Sequence, residues 1–287
     1  RDCLLSRGLG DVYKRQGYIC INKNKDGMKF FIQTIKGKIT FDFALELVNA
    51  IESHNYFYPN DKIEYILDDN YKDYAWENKF QEWCPIGSVE FVCGWLKHFY
   101  GESMIPKPIN VPNALKDQYF TRRFIDEETI NDEFRKRTNS FVLKIFAKDV
   151  NKIKSENNGL YELGYRNIPD GTYQVSSYIK EIKAEFRCFI FENKLLDVRL
   201  YNGDYKILPD FDKIQKMIDT YMVDAPVAYT LDVAVNEDDD TIVIEVHDFF
   251  SCGLYGFMET KRLPYMFWRW YYNPVSYTHL RAHETRG

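Results

Sequence analysis

The stretch AYTLDVAVNEDDDTIVIEVHD, residues 228–248, contains two runs of apolar and β-branched residues separated by the polar segment NEDDD. This pattern predicts a β-hairpin. One carboxylate interrupts each arm, Asp232 in the first and Glu245 in the second, and His247 follows on the second arm. Burying an unpaired carboxylate is costly, and a Mg²⁺ ion bridged to phosphate oxygens would satisfy both. The hairpin therefore predicts a metal site at Asp232, Glu245 and His247; the alternative is a solvated sheet face.

Basic residues recur upstream inside apolar runs: Lys144 in FVLKIF, Arg187 in AEFRCFIF and Arg199 in LLDVRLY. A cation in the middle of a strand is either paired with an acid or held for an anion. The alternative is a side-chain stem that lies along the sheet with its charge in water. Three such cations ahead of a carboxylate pair are typical of a triphosphate site. The lysines of KDVNKIK, residues 148–154, are weaker candidates because that segment is typical of an exposed helix.

The composition bounds the class of protein. The chain has 287 residues, of which 45% are hydrophobic and 17% aromatic, enough for one large domain or two smaller ones. No apolar run approaches the roughly 18 residues of a membrane span. The six cysteines form no C-x-x-C pair. We therefore expect no membrane association and a reducing compartment, the cytoplasm, rather than a disulfide scaffold or a zinc knuckle.

Both ends of the chain look foreign to the fold. The segments SRGLGDVYKRQ (6–16) and VSYTHLRAHET (275–285) can be encoded by the two complementary strands of one DNA segment, as in a transposon-end sequencing adapter. We expect residues 1–16 and 275–287 to be adapter-derived and exclude them from fold reasoning. The formal net charge of −5 becomes more negative without these basic ends, which disfavours nucleic acid as a partner.

The remaining chain divides into two predicted domains. In residues 17–115, strands at 18–22, 28–34 and 62–67 alternate with helices that begin near Asp42 and at Ser88, which predicts a small α/β domain. Three prolines in PKPINVPNAL (106–115) mark its end. In residues 116–274 strands dominate, which predicts an α+β domain. The predicted elements there are strands at 117–125, 140–146, 173–179, 184–191 and 194–201, a helix at 211–222 and the hairpin.

Arg122 and Arg123 belong to the segment DQYFTRRFI, residues 117–125, for which a strand is predicted. Two interpretations stay open for this arginine pair. The side chains either reach a phosphate or a substrate, or they lie on a surface strand. The turn acids Asp238, Asp239 and Asp240 are expected to be solvated.

The order of five motifs resembles an ATP-grasp domain: FVLK, YQVSSYI, AEFRCF, YTLDVAV and IEVHDFFSCGLYGF. It is most similar to a clade of bacterial and phage ATP-grasp proteins with an E-x-R strand, a hairpin Asp, and an E-V-[NH] strand end running into G-L-Y-G. The similarity spans roughly residues 119–257. It implies the ATP-grasp fold, with two lobes of mostly antiparallel sheet and helices, preceded here by the small α/β domain.

The resemblance also implies roles for single residues. Lys144 would contact the ATP phosphates, Arg187 would neutralise them, and both are predicted to be catalytic. The linker between the lobes would meet adenine through its backbone, and His247 stands where many ATP-grasp enzymes have an Asn ligand. The implied ATP and Mg²⁺ site comprises Lys144, Ser176, Ser177, Tyr178, Ile179, Arg187, Asp232, Glu245 and His247.

The activity that the resemblance implies is an ATP-dependent carboxylate–amine ligase, which acts on small-molecule or peptide substrates through an acyl phosphate. Two other classes stay open. A metal-dependent nuclease would use Asp232 and Glu245, although it would normally have a lysine where His247 stands. A non-catalytic module would bind nucleotide or protein without turnover.

Overall fold

The computed structural model describes residues 27–74, 82–137, 144–162 and 164–272. The strand predicted at 18–22 and the two ends interpreted as adapter-derived lie outside these ranges. Among the helices of the described ranges, none combines the length and the apolar character needed to cross a membrane.

The N-terminal part is a three-stranded parallel sheet with two helices. Strand β1 (Lys29–Gln33) is central, between β2 (Glu64–Asp68) and β3 (Cys84–Ile86). Helices α1 (Asp42–Phe57) and α2 (Val89–Tyr100) cover it. The consecutive residues Phe30, Phe31 and Ile32 are fully buried, as expected for a parallel strand that is packed on both faces.

The predicted limits of helix α2 are confirmed. The Ser88 side chain accepts a hydrogen bond of 3.1 Å from the backbone N–H of Phe91. Gly101 follows the helix with a φ of +93°, a conformation that glycine adopts without strain. Pro85 and Ile86, shortly before this helix, are part of β3, which the sequence did not predict.

Two four-stranded antiparallel sheets make up the second part, with strand orders β4-β7-β5-β6 and β11-β10-β8-β9. The strands are β4 (Ile125–Ile130), β5 (Ile145–Asp149), β6 (Gly159–Tyr161), β7 (Gly171–Ser177), β8 (Ile182–Phe191), β9 (Lys194–Gly203), β10 (Ala228–Asn236) and β11 (Thr241–Asp248). The helices are α3 (Gln118–Thr121), α4 (Asp132–Arg137), α5 (Phe211–Tyr221) and α6 (Leu263–Tyr272). The predicted α+β class is confirmed.

The sheet formed by β8 to β11 has one apolar face and one charged face. Leu231 and Val233 of β10 are buried with Ile214 and Met217 of helix α5. Because side chains alternate along a strand, Asp232 points to the opposite face. The charged residues of this sheet therefore collect on the side away from α5.

Helix α6 packs on the N-terminal part. The Cys84 thiol donates a hydrogen bond to the Phe267 carbonyl at 3.5 Å, and Trp95 Nε1–H donates to the Tyr271 hydroxyl at 3.3 Å. One hydrophobic cluster runs from Phe30 through helix α6. The predicted domain boundary between residues 115 and 116 therefore stays a proposal. Residues from both sides of that boundary belong to this one cluster.

Two predicted elements are wrong. Of the strand predicted at 117–125, only Ile125 is part of a strand, β4, because the Asp117 carboxylate accepts a hydrogen bond from the N–H of Tyr119 at 2.7 Å and begins helix α3. The segment 148–154 is not a helix. Lys148 lies within β5, and the Asp149 carboxylate then accepts bonds from the N–H groups of Asn151 and Lys152, which turns the chain.

Candidate active site

Four charged residues lie in one row across the sheet formed by β8 to β11. Arg199 of β9 is opposite Arg187 of β8, Arg187 is opposite Asp232 of β10, and Asp232 is opposite Glu245 of β11. Residues in register across antiparallel strands share a face. The hairpin predicted from sequence thus brings Asp232 and Glu245 side by side.

Arg187 and Asp232 form a buried bidentate ion pair. Arg187 Nε donates to Asp232 Oδ1 at 2.8 Å, and its Nη2 donates to Oδ2 at 2.7 Å. The Asp232 residue is only 1% exposed. Burial acts to lower the pKa of Arg187, but the hydrogen bonds and charge of Asp232 outweigh it and raise that pKa. The guanidinium also lies against the rings of Tyr201 and Tyr255, at 5.9 and 5.2 Å.

Glu245, on β11 of one antiparallel sheet, contacts a residue of the other antiparallel sheet. Its Oε2 forms an ion pair with Lys148 Nζ, which projects from β5 of the other sheet. Its Oε1 lies 2.6 Å from His247 Nε2. Burial lowers the pKa of Lys148 to about 8, with Asp232 opposing the shift and Arg123 adding to it. The amine therefore remains mostly protonated at neutral pH and holds the carboxylate in the space between the sheets.

Asp232, Glu245 and His247 form a possible cation site. One ligand atom from each lies within 4.8 Å of the others. Burial lowers the pKa of His247 to about 4, so the imidazole is neutral at physiological pH although the side chain keeps 39% exposure. The opposite residue on β10, Thr230, is fully buried, and its hydroxyl has no hydrogen-bond partner among the described residues. The two carboxylates are hard oxygen donors, the kind that Mg²⁺ prefers, and the Thr230 hydroxyl lies on the same face of β10 as Asp232.

The other predicted residues lie near the connection between the sheets. Ser176 and Ser177 end β7, and Tyr178 and Ile179 lie between β7 and β8. Lys144 directly precedes β5, and its Nζ is 2.9 Å from Glu162 and 5.7 Å from the centre of the Tyr178 ring. The hydrogen bond and charge of Glu162 raise the pKa of Lys144. The structure thus brings Lys144 to the connection, whereas Lys148 reaches the carboxylates.

The roles of Arg199 and Arg123 were left open by the sequence, and the structure gives the two side chains different partners. Arg199 donates through Nε to Asp197 at 2.8 Å and extends the charged row. Arg123 is buried, with 9% of the residue exposed, and contacts backbone carbonyls of β11. Of the two interpretations left open for Arg123, the surface strand is wrong, because the chain leaves helix α3 through a left-handed residue and turns this side chain inward.

Lys148 is a residue of the site that was only a weak candidate from sequence, although the strand pattern contains a signal for it. Within β5, Ile145 and Ala147 are buried, and Phe146 and Lys148 occupy the alternate positions. The alternation of a strand therefore extended past FVLKIF and placed Lys148 on the same face as Lys144. The strand predicted to end at residue 146 in fact extends to Asp149 and includes Lys148.

Comparisons with known proteins agree with this architecture. A family model described as ATP-grasp domain, R-2-K clade family 2, matches residues 120–263, half of the chain. No curated protein matches. The family match covers both antiparallel sheets and every residue of the charged row.

Among solved structures, a RimK domain ATP-grasp protein from Sphaerobacter thermophilus is similar with a TM-score of 0.50 at 10% identity, over 84% of this chain and 98% of that chain. D-cycloserine synthetase DcsG is similar with a TM-score of 0.49 at 11% identity, over 85% and 100%. D-alanine–D-alanine ligase from Bacillus anthracis, complexed with ATP, gives 0.44 at 14% identity, over 91% and 100%. For the RimK domain protein, with a TM-score of 0.50 at 10% identity, the likeness is one of fold. The match to the family over half of the chain shows that this protein belongs to the ATP-grasp domain family, in its R-2-K clade.

Proposed function

We propose that the protein is an ATP-dependent ligase that joins a carboxylate to an amine through an acyl phosphate, with Mg-ATP held between its two antiparallel sheets. One observation carries the proposal. Inside an ATP-grasp fold, a cation from each sheet, Lys148 and Arg187, meets the carboxylates Glu245 and Asp232 at a single point.

The positions of the two lysines suggest how ATP lies. Adenine would contact the backbone of the connection formed by Ser176, Ser177, Tyr178 and Ile179. Lys144 is beside that connection. Lys148 lies four residues further along the same face of the strand, about 13 Å at roughly 3.3 Å per residue. That span fits a nucleotide whose phosphates point from Lys144 towards Lys148, Arg187 and the carboxylates.

Asp232 and Glu245 would hold Mg²⁺, and His247 would be a third ligand or a hydrogen-bond partner of a phosphate oxygen. When bound, the ion would neutralise charge on the phosphates and orient the terminal phosphoryl group for transfer. His247 departs from an all-oxygen ligand set, which makes it the most informative of the three residues to test.

The chain's own residues would supply positioned positive charge. Glu245 fixes Lys148 and Asp232 fixes Arg187 through ion pairs that leave little conformational freedom. A triphosphate would offer both cations a further set of oxygens without requiring a large movement. Cations that are already oriented stabilise charge on the transferring phosphoryl group more effectively than mobile ones.

The proposed chemistry has two steps. An oxygen of the substrate carboxylate attacks the terminal phosphorus of ATP, a P–O bond forms, and ADP leaves. The amine nitrogen then attacks the acyl carbon, loses a proton, and displaces inorganic phosphate to leave an amide. The substrates would be small-molecule or peptide carboxylates and amines, and the residues that bind ATP do not identify them.

Two experiments test the proposal. Mg-ATP at a hundredfold excess over its dissociation constant should stabilise the folded protein by about 2.7 kcal/mol, measured as a rise in melting temperature. No shift with ATP, ADP or a non-hydrolysable analogue would contradict nucleotide binding. A screen of carboxylate and amine pairs should then reveal ADP release that needs both substrates. ADP release that needs only the carboxylate would indicate a kinase.

The cell compartment and the source are further parts of the proposal. Cys84, Cys93, Cys188 and Cys252 are free thiols, which supports the expected cytoplasmic location. A bacterial or phage origin remains a prediction that rests on the motif resemblance.

A further inference from the structure

Strand β11 contains a β-bulge directly before Glu245. In its pairing with β10, Glu245 is opposite Asp232 but Val243 is opposite Val233, so Ile244 is an extra residue. Val243 and Val246 both lie in the core under this sheet although they are three positions apart. Simple alternation would put Glu245 on the same face as Val243. The bulge is therefore what directs Glu245 and His247 to the face that carries Asp232.

The Arg123 guanidinium binds the backbone at this bulge. Its Nη1 donates to the Val243 carbonyl at 2.6 Å, and its Nη2 donates to the Ile244 carbonyl at 3.3 Å. Strand β11 is at the edge of its sheet, so one side of its backbone is open to such contacts. On the same strand, the Val246 N–H donates to the Asn110 carbonyl at 2.7 Å. The two residues before Glu245 are thus held from outside the sheet.

The local sequence delivers Arg123 to this position. Arg122 ends helix α3 with a φ of +51°, and this left-handed turn directs the next side chain inward. Arg123 Nη1 also donates to the Thr121 carbonyl at 3.3 Å. Burial lowers the pKa of Arg123 to about 10, which still leaves it charged at neutral pH. A planar guanidinium with two parallel donors matches two successive carbonyls, which a single lysine ammonium does not.

We propose that Arg123 is a positioning residue: it holds the bulge at Val243 and Ile244 and thereby aims Glu245 at the cation site. This inference rests on the proposed function, because it takes Glu245 as a metal ligand. Arg123 acts through the strand and has its bonds to carbonyls rather than to the ligands themselves. Its effect should therefore disappear when Glu245 can no longer bind a cation.

The test uses Mn²⁺ as a paramagnetic probe of the site, with free ion measured by electron paramagnetic resonance on the full chain. Arg123→Met should weaken Mn²⁺ binding about 10- to 100-fold, the usual effect of losing a residue that orients a metal ligand. Arg123→Lys, which keeps the charge and one donor, should recover part of the loss. The matched control is Arg122→Met, because Arg122 is half-exposed and pairs with Asp240 instead of the bulge. This control should bind Mn²⁺ like the wild type.

A double-mutant comparison separates positioning from general destabilisation. In a Glu245→Gln background, adding Arg123→Met should change the residual Mn²⁺ affinity less than about 2-fold, because the interaction energy of coupled residues appears as non-additivity. Independent, multiplying effects of the two substitutions would overturn the inference. So would a wild-type Mn²⁺ affinity in Arg123→Met. Arg123→Lys decides the question if Arg123→Met does not fold.

A second measurement does not depend on the metal. Hydrogen exchange of the peptide covering residues 241–248 should be faster in Arg123→Met and Arg123→Lys than in the wild type and in Arg122→Met. Unchanged exchange would overturn the inference. If the wild type fails to bind Mn²⁺, or binds it equally well with Glu245→Gln, the proposed metal site is what fails, and the exchange data still decide the role of Arg123.

Discussion

Glu245 is the residue on which the two sheets converge, because its two carboxylate oxygens contact Lys148 and His247 separately. Glu245→Gln keeps the size of the side chain and removes its charge. We expect ATP turnover to be lost while the fold is retained, since a neutral amide is a poor cation ligand. ADP release measures the first outcome and circular dichroism the second. Glu237→Gln, in the exposed hairpin turn, is the matched control, and equal activity in both variants would contradict a role for Glu245.

Lys144, Lys148 and Lys154, which lie before, within and after β5, should differ in importance for nucleotide binding and turnover. Lys148 has only 18% of its side chain exposed and contacts Glu245, so Lys148→Met should lower turnover about 10²- to 10³-fold. Lys144 has 48% of its side chain exposed, and Lys144→Met should weaken nucleotide binding by a smaller factor, because solvent screens exposed charges. Lys154→Met, in the exposed turn, is the control. Equal losses in all three variants would indicate a diffuse basic surface.

His247 can be tested by restoring the residue that is common in related domains. His247→Asn keeps a side chain that can ligate or donate a hydrogen bond, and it should retain substantial turnover. His247→Ala removes both abilities and should lose much more. Steady-state ADP release at saturating Mg²⁺ gives the comparison. Full activity of His247→Ala would show that Asp232 and Glu245 are enough.

At the residue scale, charged residues inside an apolar run were recognised from the sequence, whereas a charged residue at the end of such a run was not. Arg187, Asp232 and Glu245 stand out because apolar residues flank each of them on a strand. Lys148 is followed by Asp149 and lies in a segment rich in lysine, which obscured the end of the strand. The role of Arg123 was ambiguous because its partners are backbone carbonyls of a distant strand. Every residue has such a carbonyl, so the sequence does not indicate which of them accept a hydrogen bond.

At the scale of the elements, the turn of the β10–β11 hairpin contains an acid, Asp240, that forms ion pairs with other elements. The Asp240 carboxylate is 2.6 Å from Lys213 Nζ and also pairs with Arg122. Lys213, on helix α5, has only 3% of its side chain exposed. The expectation that this turn is simply solvated is therefore wrong for Asp240, which links the hairpin to α5 and to the end of α3.

We expect Asp240→Asn to lower the free energy of unfolding by about 1.5–3 kcal/mol at pH 7, the usual value of a hydrogen bond to a charged group. Although burial alone would raise it, the pKa of Asp240 is lowered by the hydrogen bonds and charges of Lys213 and Arg122. A lowered carboxylate pKa contributes stability above the unfolded value of about 3.9, and that contribution is lost as the pH falls through the folded value.

The difference between wild type and Asp240→Asn should therefore be constant above about pH 5 and shrink below about pH 4. Urea unfolding at several pH values measures it. Asp238→Asn, in the exposed part of the same turn, is the control and should resemble the wild type throughout. A difference that persists unchanged at low pH would contradict the ion-pair explanation.

The sequence predicted the elements well where one face of a strand or helix is apolar. Strands β8 to β11 and helices α1, α2 and α5 were all predicted, α1 from its apolar face and α2 from its cap residues Ser88 and Gly101. Helix α3 was misassigned because its four residues, Gln118–Thr121, are too few to show a helical period. Helix α6 was not predicted. Seven of its ten residues are buried, and an aromatic residue, Tyr265, also occupies an exposed position, so few polar residues mark its outer face.

At the scale of the whole molecule, helix α6 belongs to the same hydrophobic core as the N-terminal sheet and helix α1. Phe267 is 1% exposed and contacts Phe43 and Phe249, with ring centres 6.2 and 4.8 Å apart. Phe267→Ala should lower the free energy of unfolding by about 3–5 kcal/mol. Tyr265→Ala, on the exposed side of the same helix, should have a much smaller effect.

Because this core is shared, urea unfolding should remain a single transition, with the same midpoint by circular dichroism and by tryptophan fluorescence. The same experiment with Phe267→Ala shows whether the N-terminal sheet depends on α6. An N-terminal transition that separates from the rest in the wild type would show that the two parts are thermodynamically independent.

The position of α6 also has a consequence for biosynthesis. The ribosome releases the N-terminal sheet and helix α2 well before it reaches Leu263, on the order of 10 to 30 seconds earlier at about 5–20 residues per second. During that interval the apolar surface around Cys84 and Trp95 lacks the helix that covers it. Completion of the core under the N-terminal sheet is thus timed by the translation of helix α6, and slow elongation between the two would prolong the exposure of this apolar surface to aggregation.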